Sequence, residues 1–98
     1  MHNDLDLLAE VIDRARDLLL TCEYVSTATR MSELAERLRT GDQCAIVSAV
    51  SEATGGMGSL NDQVLFPAGA NDRFRTVVSD VERLARVAAA RRSISLVR

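Results

Sequence analysis

Few residues in this chain have the chemistry of a catalytic or metal centre. There is one histidine, His2, with two cysteines, Cys22 and Cys44, and a larger set of carboxylates. His2 stands beside the first methionine, where a mobile side chain is expected, which argues against a nucleophile relay or a metal site. The cysteines show no CxxC spacing, and no second histidine could complete a zinc site. Both lie on apolar helical patterns and read as free, buried thiols, although Cys44 falls in the first turn of a helix. Most carboxylates fall at helix starts or on polar faces, where capping and solvation explain them. Asp13 and Asp17 on one helix and Glu33 and Glu36 on the next could converge on a divalent cation. Solvated faces with arginine partners are the reading preferred. The expectation is therefore no catalytic residue, no metal and no cofactor.

The feature that stands out is Gly55-Gly56-Met57-Gly58-Ser59-Leu60-Asn61-Asp62, which holds three of the five glycines. A segment needing this much backbone freedom has a specific shape. The amides of Gly56, Met57 and Gly58 could cradle an anion ahead of a helical turn starting at Ser59. The segment is not GxxxxGK[ST], no strand precedes it, and the chain has no lysine. The structural reading has Gly55 or Gly56 ending a helix, Met57 folding back on the core, Gly58 making the turn, and Ser59 and Asp62 capping.

The run Gly56-Met57-Gly58-Ser59-Leu60-Asn61-Asp62, followed by Val64-Leu65, resembles a motif of a small bacterial helical domain family of unknown function. In that family a Gly-Met-Gly-Ser-aromatic/aliphatic-Asn-Asp segment joins N-terminal helices to a C-terminal one. The resemblance spans Val50 to Ala88 and rests on Gly56, Met57, Gly58, Ser59, Asn61 and Asp62. Leu60 stands where an aromatic is frequent, and Gln63 follows the Asp. The resemblance implies a small helical intracellular protein, with a protein-binding role of the immunity or accessory kind. It brings no catalytic assignment.

Hydrophobic periodicity supplies the elements that hold this loop. Asn3 caps a first helix over Asp4 to Glu23, with Leu5, Leu8, Ile12, Ala15, Leu19 and Cys22 on one stripe. Leu7, Val11 and Leu18 widen that stripe, which then needs two neighbours or an oligomer partner. Tyr24 to Thr27 reads as a break. A second helix spans Ala28 to Arg39, with Glu33 paired to Arg37, and ends at Gly41. Asp42 caps a third, Gln43 to Ala53, whose narrow polar edge of Ser48, Ser51 and Glu52 predicts a central position. Leu60 to Leu65 is a helical turn, or Val64 to Phe66 a short strand. Pro67 to Ala70 is a turn, and Asn71 caps a last helix over Asp72 to Arg91. Glu82 and Arg86 pair on it. Ser93 to Arg98 is a short strand or a frayed end.

These elements give one domain over 1–98, an all-α, four-helix bundle with a glycine-rich loop before the last helix. Short loops between the first three helices favour antiparallel neighbours. The 98 residues are 47% hydrophobic and 27% charged, which suits a folded soluble chain, and only 3% aromatic, so aliphatic side chains must fill the core. Residues 1–70 carry a net charge of −6 and residues 71–98 a net of +4. The preferred reading is an acidic part that attracts the basic last helix within one fold. The interleaved acids of that helix make nucleic-acid binding unlikely. The acidic start (Asp4, Asp6, Glu10) is unlike a secretory signal, and no apolar run spans a membrane, so a cytoplasmic protein is expected. The function expected is non-catalytic binding of another protein, or of a second copy. The alternative is a small-molecule or anion binder using the 55–62 loop.

Overall fold

The computed structural model describes residues 3–96; His2 and Val97 of the apolar tail lie outside them. Four helices pack together: α1 (Asp4–Thr21), α2 (Val25–Arg39), α3 (Cys44–Thr54) and α4 (Ala68–Arg91), with a short 3-10 turn at Leu60–Asp62. No strand occurs among the described residues. α1 packs on α2 and α4, and α3 packs on α4 and α2, so the helices form a closed ring around one core. The wide apolar face of α1 is thereby explained by two neighbours. α3 is one corner of the ring rather than its centre. Its Ala45 and Ala49 are buried, while Val47 is 41% exposed. The 20 Å thickness of the molecule equals two helix diameters of about 10 Å.

The core is aliphatic around one aromatic. Leu8, Ile12, Leu19, Met31, Leu38, Ile46, Phe74 and Val81 are fully buried, with alanines between them that let the helices approach closely. Leu60 and Leu65 join the same core and pin both ends of the second half of the loop. Each such burial is worth about 2 kcal/mol.

Helix ends explain where the observed boundaries depart from those expected. Asn3 caps α1 as anticipated, its Oδ1 accepting from the Asp6 amide at 2.9 Å. α1 stops at Thr21 because Glu23 takes φ +67°, and Glu23 and Tyr24 donate back to Leu20 and Leu19. That is a Schellman motif built without glycine. Gly41 (φ +85°) and Ser93 (φ +54°) end α2 and α4 in the same way. α2 begins at Val25 rather than Ala28, so the break expected over Tyr24 to Thr27 falls instead at Cys22 to Tyr24. The Tyr24 carbonyl already accepts from Ala28, and Thr27 is buried, so packing overrides the β-branched residues' weaker helix preference.

α4 begins four residues before the position expected. The Pro67 carbonyl accepts from Ala70 and Asn71, so Pro67 to Ala70 starts the helix instead of turning. Asn71 does not cap; its Oδ1 accepts from the Leu65 amide at 3.0 Å. Past α4, Ile94 and Leu96 pack against the core as irregular chain. The charge asymmetry closes the ring. Arg92 makes two bonds to the Asp4 carboxylate, at 2.7 and 2.8 Å, so the end of α4 lies at the start of α1 and the two helices run antiparallel.

Candidate functional site

The 55–62 segment is held from three helices by hydrogen bonds to its backbone and side chains. Gly55 leaves α3 in extended backbone, its amide donating to Ser51 at 2.7 Å. A Cβ on Gly55 would stand 2.5 Å from that carbonyl oxygen, so close approach requires glycine there. Gly58 has φ +83° and sits third in a turn closed by the Ser59 amide on the Gly56 carbonyl at 3.0 Å. That is the position where a type II turn needs glycine. Gly56 has neither constraint.

Two carboxylates occupy the amides of this turn. Asp62 Oδ2 accepts from the Gly58 amide at 3.0 Å, and Glu52 Oε1 from the Leu60 amide at 2.9 Å. Asn61 Nδ2 donates to the Gly55 carbonyl at 3.2 Å, tying the end of the segment to its beginning. Arg30 on α2 grips Glu52 through Nε and Nη2 and also donates to the Gly58 carbonyl at 2.7 Å. Arg75 on α4 donates to both oxygens of Asn61 and to the Gln63 carbonyl. Tyr24 donates to the Val64 carbonyl at 2.7 Å.

Of the sequence-predicted residues, Asn61 and Asp62 are therefore structural staples. Ser59 does not cap: its Oγ is buried without a protein partner, and its carbonyl, not its side chain, accepts from Asp62. Met57 does not fold back on the core. It is 98% exposed, held out on the turn that Gly58 makes. Met57 and Val47 border an open groove of about 440 Å³, floored by Ser48 and Ser51 and walled by the Arg30–Glu52 pair. Ser48 Oγ donates to the Cys44 carbonyl within its own helix.

An anion at the Gly56–Gly58 amides would meet Asp62 and Glu52, which already supply the negative charge the turn can bind. The remaining chemistry expected of side chains is also accounted for. Asp13 receives Arg16 and Arg39, and Arg16 also reaches Asp17. Arg37 pairs with Asp42 at 2.9 Å rather than with Glu33, because the Gly41 turn brings Asp42 back onto the end of α2. Glu82 pairs with Arg86 as expected. Among the described residues no group of three or more His, Cys, Asp or Glu is placed to hold a metal ion. Cys22 and Cys44 are free. Cys44 is exposed rather than buried, since as the first residue of α3 it faces out of the ring. On α4, Arg75, Arg83, Arg86, Arg91 and Arg92 are all committed to partners within the chain.

Sequence reasoning missed Arg30, Glu52, Arg75 and Tyr24 as the loop's holders. Their bonds to it reach from 8 to 40 residues along the chain, so no short motif or helical period marks them. No helix of the described residues is long and apolar enough to cross a membrane. No protein-family model, curated protein or solved structure matches the chain.

Proposed function

We propose that this chain is a non-catalytic protein-binding module that meets its partner with the Met57–Val47 rim of the 55–62 loop. The observation that carries the reading is Met57, 98% exposed on a turn whose shape is fixed by Glu52, Asp62, Asn61 and Arg30. A methionine held out on a fixed turn loses little order on binding and fits its flexible thioether to a partner's pocket. Methionine is enriched at the centres of protein interfaces. The resemblance of the 56–62 segment to that of a small bacterial helical family supports this role, and the same proposal has the chain act in the cytoplasm as an immunity or accessory protein. The exposed Glu33 and Glu36 would then steer a basic partner.

A photo-crosslinking amino acid at position 57, with the same probe at the exposed Ala90 of α4 as control, tests the reading in lysate of the native host. The expected result is one defined product from position 57, lost on Val47→Asp. A product from a second copy identifies self-association through the same rim. Equal, diffuse labelling from both positions overturns the proposal.

A further inference from the structure

Of the eleven arginines described, nine hold an ion pair or hydrogen bond within the chain. Arg14 on α1 and Arg73 on α4 hold none among the described residues. Both line one groove of about 440 Å³ between α1 and α4. Its apolar lining comes from Leu18 and Val77, which are only partly buried against the core. Asp17 and Asp80 also border it, but Asp80 is engaged by Arg83 at 3.4 Å and Asp17 by Arg16 at 2.9 Å, an arginine shared with Asp13, which Arg39 pairs as well. The uncompensated charge of the groove is therefore positive.

The spacing is regular. Arg14 precedes Leu18 by one turn, and Arg73 precedes Val77 by one turn. Because α1 and α4 are antiparallel, the two arginines stand toward opposite ends of the groove, with Leu18 and Val77 between them. Taking the Asp4–Arg92 pair as the register, they are offset by roughly 14 Å along the helices. We propose that this groove, lined by no residue of the 55–62 loop, docks an acidic amphipathic helix of another protein. A third helix is the element that fits a groove between two helices, through apolar side chains at helical spacing. Its carboxylates would lie about two to three turns apart, on either side of an apolar pair, each meeting one arginine.

The test uses a fluorescent, stapled helical peptide with two leucines on one face flanked by glutamates about two to three turns apart, and its twin with lysines in place of the glutamates. Binding to the full chain is read by anisotropy, with circular dichroism confirming that each variant is folded. Expected is saturable binding of the acidic peptide, at least tenfold weaker for the lysine twin and for Arg14→Glu/Arg73→Glu. The lysine twin should then prefer the double variant. Equal binding of both peptides, or no saturable binding at millimolar peptide, overturns the proposal. Sedimentation with anionic phosphatidylglycerol vesicles, lost in the double variant while neither peptide binds, overturns it in favour of a membrane surface. Concentration-dependent dimerisation lost in that variant, with neither peptide bound, overturns it in favour of a second copy.

Discussion

Arg30 and Glu52 are joined across α2 and α3, and the same two side chains bind the loop, Arg30 at the Gly58 carbonyl and Glu52 at the Leu60 amide. One ion pair thus ties two helices together and fixes the path of the turn that follows α3. Glu52 is largely shielded from water, with 15% of its side chain exposed, so losing it leaves an arginine and an amide without their partner.

Glu52→Ala should therefore destabilise the fold by about 2 kcal/mol, more than an exposed ion pair would. Arg30→Ala, which removes the more exposed partner, should cost about 1 kcal/mol. Urea unfolding of both variants checks the order. Equal midpoints for Glu52→Ala and wild type would show that the pair does not hold the loop.

The glycines should separate by position. Gly56→Ala meets open space without a positive φ and should be neutral or stabilise by up to about 1 kcal/mol. Gly58→Ala should cost about 1 kcal/mol for its left-handed backbone. Gly55→Ala should cost at least as much, because its Cβ would press on the Ser51 carbonyl. Thermal melts of the three variants measure this, with about 4–8 °C expected per kcal/mol.

Much of this architecture is legible in the sequence, and the losses have physical causes. The three-four stripes locate all four helices, and the Asn3 cap and Gly41 end follow from local chemistry. The starts of α2 and α4 do not, because burial of Thr27 and the carbonyl of Pro67 decide them rather than propensity. The loop's importance is visible as a glycine cluster, and Gly58 as its turn. The direction of Met57 is not visible, since it depends on the turn's geometry and not on the residue's apolar character. Asn61 and Asp62 look like ligand-binding groups until Gly55, Gly58 and Arg75 are seen to occupy them.

Acid should weaken the clasp between α1 and α4. The two bonds from Arg92, with its charge, hold the Asp4 carboxyl below its usual range, helped by the start of α1 and by Arg91. A carboxyl with a depressed folded value stabilises the protein above its unfolded value, near pH 4, and loses that contribution as pH falls through the lower folded value. Asp4→Asn should therefore melt below wild type at pH 7, with the gap closing below about pH 4. A gap that stays constant down to pH 2 would contradict the assignment.

The central claim is a division of labour within one short segment, in which Asn61 holds the turn and Met57 is left for a partner. The most direct measurement is urea unfolding of Asn61→Ala beside Met57→Ser. Asn61→Ala removes the tie to Gly55 and one acceptor of Arg75, and should cost about 1–3 kcal/mol, whereas Met57→Ser should unfold with wild type. A stable Asn61→Ala together with a destabilised Met57→Ser would mean that the methionine serves the fold and the asparagine is free for a ligand.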